Sequence, residues 1–418
     1  MIKVHYYTEC PFFAGCENML ANFFNSEEFR HTHNVSFSYA HSELYEQGLK
    51  RRVKKGVMIY PFNFPAFSDY RKLPNWMPLL SRRIFMTGLR LSFQLPLLVY
   101  QVCVLYALLK KVRPDILHIN NGGYPAARSA LAAAIAGKCA NVPRVIMVVN
   151  NMAVDYRHFS RWIDFPIDRL VVRCVNVFIT GSQAARARLQ TVLNLPDPQV
   201  RTIHNGIALG NLSCAVAATR QRLGLGDFRG VVFGVVALLI PRKGHQILLD
   251  AVLRLVTDKK LLGYEFKVVI EGDGPLREAL VNFVIINNLT SWVTFVGAED
   301  NVVDFMSALD VLILPSVQDE DLPNVISEAM ALGKPVIASR LAGTPEQVVE
   351  GVTGLLIEPR NVTQLASAIF QLLDNADIRS SMGRAALERF DTLFTSLVAL
   401  NNYSILYAKL IADMQKRT

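Results

Sequence analysis

Cysteine is scarce in this chain, and the six that occur show no metal-binding spacing. They stand at positions 10, 16, 103, 139, 174 and 214, without a CxxC pair or a His-linked set. This pattern favours a reduced, cytosolic compartment. The opening residues, MIKVHYYTECPFF, contain no uninterrupted apolar run. We therefore expect a first strand and loop there, not a signal peptide.

Acidic residues are fewer than basic ones, and the balance predicts an anionic partner. The chain has 44 Lys and Arg against 35 Asp and Glu, a net charge of +9. A nucleotide sugar, an acidic bilayer or nucleic acid would fit that charge. No RNA-binding signature or basic helix with regular aromatics accompanies it, so nucleic acid is not expected. A length of 418 residues, 51% of them hydrophobic, predicts two domains with separate cores.

The most informative stretch is residues 315–343, PSVQDEDLPNVISEAMALGKPVIASRLAG. It predicts a strand end, a polar loop, a short helix and a buried strand. Pro323 suits the first helical position, and Gly333 marks the helix end. The first backbone N–H groups, near Asn324 and Val325, would carry partial positive charge. That end of the helix is therefore a natural seat for a phosphate.

Two carboxylates flank this helix end, separated by seven residues. Glu320 lies in the preceding loop and Glu328 lies inside the helix. Each alone could be a solvated surface charge. Together with the phosphate seat they suit a ligand with a central diphosphate and hydroxyl-rich sugars on both sides, which is the shape of a nucleotide sugar.

This pattern resembles the C-terminal half of the family 4 retaining glycosyltransferases. The resemblance rests on ExxxxxxxE, EAMALGKPVIAS, GTPE at 343–346 and GVTGLLIEP at 351–359. It implies the α/β GT-B fold, two Rossmann-like doubly wound parallel-sheet domains facing a central cleft. Residues 1–205 would form an acceptor-side domain, joined by a C-terminal helix at 390–418. Residues 206–389 would bind the nucleotide sugar.

A second anion seat is predicted after the apolar strand at 231–239, where a basic, Gly-containing turn precedes a helix. The family's lysine that contacts the donor diphosphate falls on Lys243. The family's arginine five residues earlier falls on Leu238. Adjacent Arg242 either supplies the missing charge or is a solvated turn residue.

The resemblance assigns roles on the donor side. Glu320 would contact the donor sugar, and Glu328 the ribose. The predicted catalytic residues are Glu320 and Lys243, and the predicted donor-binding residues are Glu328, Arg242, Gly15, Gly297, Leu322, Pro323, Asn324 and Val325. The family loop at Gly15 usually has two adjacent glycines, and here the second is Cys16, so an ordinary turn explains it equally well.

The acceptor side is predicted at polar strand tips in the first domain. Strands at 115–120, 145–149 and 175–180 end in polar residues, and parallel strands gather ligands at their carboxyl ends. The acceptor-side candidates are Asn150, His118 and Asn120. His118 is otherwise a satisfied core histidine. Asn150 stands where many family members have histidine, and because an amide cannot shuttle protons, a side-chain base is doubtful here.

Residues 84–109 approach the length and apolarity of a membrane span. Arg90, Gln94, Pro96 and Gln101 favour instead a buried or interfacial helix of the first domain. An anionic leaflet is an expected peripheral contact for the upstream basic residues Arg71, Lys72, Arg82 and Arg83, with Trp76 and Phe85.

The sequence as a whole predicts a cytoplasmic glycosyltransferase, peripheral on the inner face of the plasma membrane. It would move a sugar from a nucleotide diphosphate sugar to a glycan or lipid-linked hydroxyl, in bacterial surface polysaccharide synthesis. The resemblance implies retention of configuration, no cofactor and no metal, although residues 319–321 read Asp-Glu-Asp. The alternatives are a nucleotide-sugar epimerase or hydrolase of the same fold, or a non-catalytic nucleotide-sugar-binding subunit.

Overall fold

The computed structural model of the protein describes residues 1–11, 13, 15–54, 56–64, 79–157, 159–210, 212–258, 263–299, 301–318 and 320–415, without the side chains of 16, 79–93, 159, 160 and 415. The chain forms two compact units. Unit 1 comprises Met1–Gly181, Arg186–Ile203 and the residues from Leu400 onward, and unit 2 comprises Ser182–Ala185 and His204–Ala399.

Unit 1 is built on a parallel sheet of seven strands in the order β3-β2-β1-β4-β5-β6-β7. Its strands are β1 (Ile2–Thr8), β2 (His33–Ala40), β3 (Met58–Phe62), β4 (Ile116–Asn121), β5 (Arg144–Val149), β6 (Val177–Thr180) and β7 (Val200–Thr202). Every residue of β4 is buried, as expected for a central parallel strand covered on both faces.

Helices alternate with these strands along the chain. They are α1 (Gly15–Asn25), α2 (Glu27–Thr32), α3 (Glu43–Arg52), α4 (Leu79–Val112), α5 (Arg128–Cys139), α6 (Phe159–Cys174) and α7 (Gln183–Leu193). The Ala-rich helix α5 packs against both α4 and α6. Because alanine side chains are small, α5 sits close to its sheet, with Ala130 to Ala136 buried.

Unit 2 is built on a parallel sheet of six strands in the order β10-β9-β8-β11-β12-β13. Its strands are β8 (Val231–Val236), β9 (Phe266–Glu271), β10 (Val293–Gly297), β11 (Val311–Leu314), β12 (Val336–Ser339) and β13 (Gly354–Ile357). Strands β8, β9 and β10 follow one another outward on one side of the sheet, and β11, β12 and β13 do so on the other side. β8 and β11 are therefore neighbours at the point where the strand order reverses. Ligands of open parallel sheets bind at the carboxyl ends of such strands. The doubly wound α/β architecture predicted from the sequence is confirmed.

The remaining helices are α8 (Val216–Arg222), α9 (His245–Thr257), α10 (Arg277–Ile286), α11 (Val302–Ser307), α12 (Asn324–Ala331), α13 (Thr344–Gln347), α14 (Val362–Asp374), α15 (Ala376–Leu393) and α16 (Ser396–Gln415). Two differences from the sequence predictions stand out. Residues 210–229, whose polar and Gly-containing sequence is typical of a connector, contain helix α8. The C-terminal helix predicted at 390–418 is divided between α15 and α16, which a break at Phe394 and Thr395 separates.

Helix α16 packs into unit 1 through tyrosines. The Tyr407 hydroxyl lies 2.5 Å from Nδ1 of His118 on β4 and 3.3 Å from the hydroxyl of Tyr6 on β1. The rings of Tyr403 and Phe23 pack against the imidazole ring of His118. The tyrosines of this helix are therefore part of the core of unit 1.

Helix α4 confirms the predicted helix at 84–109 and extends it. Its segment Gln94–Val112 is long and apolar enough to cross a membrane, and about a fifth of that segment is buried. Leu98, Leu105 and Leu109 are buried, while Leu95 and Val99 are exposed. The basic and aromatic residues predicted upstream lie outside the described residues or within the part of α4 whose side chains are not described.

Candidate functional site

The carboxylate of Glu320 is the centre of a charged cluster in unit 2, after strands β8 and β11. Lys243 Nζ donates a hydrogen bond to Glu320 Oε1, Arg242 Nη1 donates to the same oxygen at 3.2 Å, and Ser316 Oγ donates at 2.9 Å. The Glu320 side chain is only 7% exposed. The structure thus brings together Glu320, Lys243 and Arg242, which the sequence placed 77 and 78 positions apart.

A glycine allows the two loops of this cluster to meet. Gly244 has φ +70°, and a Cβ at this position would lie 1.9 Å from the carbonyl oxygen of Pro315. No other residue type would fit there. The Val317 N–H also donates to the Arg242 carbonyl at 2.8 Å, which fixes the basic turn against the loop that contains Glu320.

Helix α12 begins directly after this loop. Pro323 is its N-cap, with φ −65° and ψ 124°, and no side chain caps the helix start. Leu322 is buried beneath it, and Asn324, Val325 and Glu328 are half-buried. A helix start without a side-chain cap, beside a lysine and an arginine, is suited to bind an anion.

Asp321, next to Glu320, is a second buried carboxylate in unit 2. Ser182 Oγ donates to its Oδ1, and its Oδ2 has no hydrogen-bond partner among the described residues. Burial raises the pKa of Asp321 to about 6, and the nearby carboxylates of Glu346 and Glu320 add to the rise. Glu346 in turn accepts hydrogen bonds from the backbone N–H groups of Gln183 and Ala184.

A cavity of about 430 Å³ lies beside the basic turn. Arg242, His245 and Gln246 line it from one side, and Leu276 and Arg360 from others. His245 is buried, and neither of its ring nitrogens has a partner among the described residues. Burial, with the nearby Lys243 charge, lowers the pKa of His245 to about 4, so its ring is neutral at physiological pH.

Leu238, which occupies the position of the family's arginine, is 58% exposed. It lies in the loop after β8, and a hydrocarbon side chain there adds no charge to the cluster. The guanidinium of Arg242 is the second cation that contacts Glu320.

Backbone groups of unit 2 form hydrogen bonds at the end of β10. Gly297 ends the strand with φ +81°, and its carbonyl accepts from the Gly272 N–H at 2.8 Å. Glu271 Oε1 accepts from the Glu299 N–H at 3.0 Å. Burial raises the pKa of Glu271. The loop after β10 is therefore held close to the glycine turn after β9.

A second polar cluster occupies the strand tips of unit 1. Asn150, after β5, donates from Nδ2 to Asn120 Oδ1 at 2.7 Å and to the Asn121 carbonyl at 3.0 Å. Asn120 Nδ2 donates to Glu17 Oε1 at 3.4 Å, and the single O–H of Thr8 is shared between Glu17 Oε1 and the Asn120 carbonyl oxygen, each 3.2 Å away. Sequence reasoning paired neither Glu17 nor Thr8 with these asparagines. The only available signal was the position of Glu17 two residues beyond Gly15, which begins α1.

The third acceptor-side candidate, His118, lies apart from this cluster. It is buried among Tyr6, Phe23 and Tyr403, with Nδ1 beside the Tyr407 hydroxyl. Burial lowers the pKa of His118 to about 3. A neutral histidine enclosed by aromatic rings corresponds to the satisfied core histidine, the second of the two interpretations given above.

The described residues contain no group of three or more His, Cys, Asp or Glu side chains that could hold a metal ion. Asp319, the first member of the acidic triplet 319–321, lies outside the described residues.

Comparisons with known proteins agree with this architecture. The model for group 1 glycosyl transferases matches residues 230–375, and the model for glycosyl transferase 4-like domains matches residues 31–206. A Mycobacterium tuberculosis GDP-mannose-dependent alpha-(1-6)-phosphatidylinositol monomannoside mannosyltransferase is 30% identical over 269 residues, which cover 59% of this chain and 68% of that protein.

The chain belongs to the family 4 glycosyltransferases. An Escherichia coli UDP-Gal:alpha-D-GlcNAc-diphosphoundecaprenol alpha-1,3-galactosyltransferase is 26% identical over 65% of this chain and 69% of its own length. With other curated relatives of the family, the match spans less than half of their length.

Solved structures share the fold. The Anabaena protein HepE, solved in complex with UDP, superposes with a TM-score of 0.74 at 19% identity, over 98% of this chain and all of that chain. At that identity the likeness shows the fold alone, and it confirms the predicted GT-B architecture.

Proposed function

We propose that this enzyme transfers a sugar, with retention of configuration, from a nucleotide diphosphate sugar to a hydroxyl of a glycan or lipid-linked acceptor. The observation that carries the proposal is the convergence of Lys243 and Arg242 on Glu320, beside the start of α12. The relatives named for GDP-mannose and for UDP-Gal with a diphosphoundecaprenol-linked acceptor support this substrate class. The proposal places this reaction in bacterial surface polysaccharide synthesis, with which the diphosphoundecaprenol-linked acceptor in the second name agrees.

The charges suit the leaving diphosphate. Lys243 has three N–H donors, one of which is directed at Glu320, so donors remain for a phosphate oxygen. As the bond from the anomeric carbon to phosphate breaks, negative charge grows on the diphosphate. Lys243, Arg242 and the N–H groups at the start of α12 would stabilise that charge, and they need no reorganisation to do so. Glu328 would accept hydrogen bonds from the ribose hydroxyls, and Glu320 from the donor sugar.

No metal or cofactor enters this proposal. The acceptor oxygen attacks the anomeric carbon, the phosphate leaves, and the acceptor proton passes to a phosphate oxygen. The asparagine in place of a histidine at position 150 agrees with a scheme without a side-chain base in unit 1, because an amide does not take up a proton at neutral pH.

A donor screen tests the proposal. UDP-, GDP- and ADP-sugars are added to the purified chain, and the melting temperature is measured. We expect one nucleotide class to raise it, because a bound donor stabilises the folded state by mass action. Turnover with that donor and a panel of octyl glycosides would follow, and NMR of the new anomeric centre would report retention. Stabilisation by none of the three classes would contradict the proposal.

A non-catalytic binding subunit is the second candidate, and exposed Leu238 favours it because the cluster lacks the family's arginine. A panel of donors and acceptors separates the two. A subunit would be stabilised by a donor without any turnover, and an epimerase or hydrolase would consume the donor without an acceptor.

We also propose that the enzyme is cytoplasmic and binds the inner face of the membrane peripherally through α4. One stripe of α4 packs on α5, while Leu95, Val99 and Tyr106 are exposed along the other side. Lys110 and Lys111 lie in its last turn. An apolar stripe followed by lysines suits an anionic lipid surface.

Flotation with vesicles tests this contact. The wild type is expected to float with phosphatidylglycerol vesicles at low salt and to be released at high salt. The double variant Leu95→Ser, Val99→Ser should lose flotation. A matched control, Ile285→Ser with Ile286→Ser on the exposed side of α10, should retain it. Failure of the wild type to float, or retention after an alkaline carbonate wash, would overturn peripheral binding.

A further inference from the structure

The polar cluster at the strand tips of unit 1 has a defined hydrogen-bond direction. It runs from Asn150 through Asn120 to Glu17, with Thr8 donating to the same carboxylate oxygen. Glu17 is only 1% exposed, and Asn120 is also buried. A carboxylate placed so deeply requires hydrogen-bond donors, and these two side chains supply them.

The chemistry of the groups decides which way each amide points. A carboxylate accepts hydrogen bonds and donates none, so Asn120 must direct its NH₂ group at Glu17. Its carbonyl oxygen then faces Asn150, which must direct its own NH₂ group at Asn120. The backbone carbonyl of Asn121 can also only accept hydrogen bonds. The side-chain nitrogen of Asn150 donates its second hydrogen to this carbonyl at 3.0 Å. Both N–H donors of Asn150 are therefore directed into the protein.

The remaining atom of this amide is its carbonyl oxygen. Asn150 is half-buried, and no described residue donates to its Oδ1. The oxygen is therefore available as an acceptor at the end of β5, where ligands of a parallel sheet bind.

The geometry points to Glu17 as a positioning residue: through Asn120 it orients Asn150 so that the Asn150 carbonyl accepts a hydrogen bond from the sugar-acceptor hydroxyl. This inference rests on the proposed transfer reaction. The O–H···O=C bond would aim the acceptor oxygen while leaving its proton in place. The proton then passes to the leaving phosphate oxygen as the new glycosidic bond forms and the bond to phosphate breaks. Asn150 thus aligns the hydroxyl without acting as a base.

A purely structural role is the competing explanation. Glu17 lies in the first turn of α1, where a carboxylate interacts favourably with the helix dipole. Under that explanation, changes at Glu17 and Asn120 would alter the melting temperature without selectively affecting the acceptor.

A charge swap separates the explanations. Asn120→Leu removes both the donor to Glu17 and the acceptor for Asn150 without adding a charge. The double variant Glu17→Gln, Asn120→Asp restores the chain in full, because the new amide at position 17 donates to the new carboxylate at position 120, which in turn accepts from Asn150. We measure KM and kcat for donor and acceptor separately, with the donor found in the thermal screen and the best octyl glycoside as acceptor, together with the melting temperature.

The expected result is an acceptor KM raised tenfold or more in Asn120→Leu, an unchanged donor KM, and return to within about threefold of wild type in the double variant. If Asn120→Leu does not fold, Asn150→Ala replaces it, with the same tenfold rise expected. An acceptor KM unchanged in either variant, or a double variant as impaired as the single one, overturns the inference. A wild type that turns over no donor would instead contradict the transfer reaction itself.

Discussion

The two units place different chemistry at the carboxyl ends of similar parallel sheets. In unit 2, two cations converge on a buried carboxylate beside a helix start. In unit 1, the amide of Asn120 and the hydroxyl of Thr8 lie against a buried carboxylate, a second amide donates to the first, and neither amide is charged. The first arrangement can stabilise a growing negative charge, whereas the second can only orient a neutral group. Under the proposed function, charge stabilisation would belong to unit 2 and alignment of the acceptor to unit 1.

Removing the principal cation of unit 2 should have the largest effect. Lys243→Ala is expected to lower kcat by about 10²–10³, the usual loss when one donor to a transition-state anion is removed. Steady-state kinetics with the donor from the thermal screen measures it. An exposed lysine at the end of α5, changed as Lys138→Ala, is the matched control and should keep wild-type turnover. Full activity in Lys243→Ala would show that this lysine of unit 2 does not stabilise the charge on the leaving diphosphate.

The substitution Asp321→Asn in unit 2 should change the free energy of unfolding by an amount that depends on pH. The pKa of this carboxyl is about 6 in the folded chain against an ordinary 3.8. The folded state thus binds the proton more tightly, and its stability falls as pH rises from about 4 to 6. Since one pKa unit corresponds to about 1.4 kcal/mol, the asparagine should raise the free energy of unfolding by about 2–3 kcal/mol at pH 7 and change it little at pH 4.

Thermal and urea unfolding of the full chain at the two pH values measure this effect. Asp227→Asn, at an exposed aspartate of the same unit, should show no such difference between pH 4 and pH 7. Equal gains for Asp321→Asn at both pH values would contradict the assignment of the effect to this carboxyl.

Substitutions at Arg242 and Leu238 test whether Arg242 supplies the positive charge that the family's arginine would supply at position 238. We expect Arg242→Ala to weaken nucleoside diphosphate binding about tenfold, because a charge-assisted hydrogen bond contributes roughly 1.5–3 kcal/mol. Adding Leu238→Arg to that variant should restore most of the affinity, since it returns a cation to the end of β8. Calorimetric titration with UDP or GDP gives both values. Wild-type affinity in Arg242→Ala would show that this arginine is solvated and not part of the donor site.

Chelation should have the smallest effect. Turnover in EDTA is expected to stay within about twofold of the untreated enzyme, because two cations and a helix start stabilise the diphosphate in the proposed reaction. Loss of turnover with EDTA, reversed by manganese, would assign part of that charge stabilisation to a metal.

Much of the sheet framework was predictable because buried parallel strands are short apolar runs with polar ends. The strand at 145–149 was predicted to within one residue, and the apolar strand predicted at 231–239 begins at the first residue of β8. Helix α8 was not predicted, because its sequence, VAATRQR, has no apolar period to signal it. The break between α15 and α16 was missed because the apolar residues continue across it.

The site was predictable only where its residues are linked by a motif. Glu320, Lys243 and Glu328 follow from local sequence and the family resemblance. Glu17 does not, because its contact with Asn120 spans 103 positions and depends on how β1 and β4 pair in the sheet. His118 shows the same limit, since its hydrogen bond to Tyr407 spans 289 positions.

Calorimetric titration of UDP and GDP into the wild type, Lys243→Ala and Asn150→Ala decides whether the charged cluster of unit 2 binds the diphosphate. We expect one nucleotide to bind the wild type and Asn150→Ala equally, and to bind Lys243→Ala at least tenfold more weakly. Equal binding by Lys243→Ala, or weakened binding by Asn150→Ala alone, would contradict the assignment of the diphosphate to the charged cluster of unit 2.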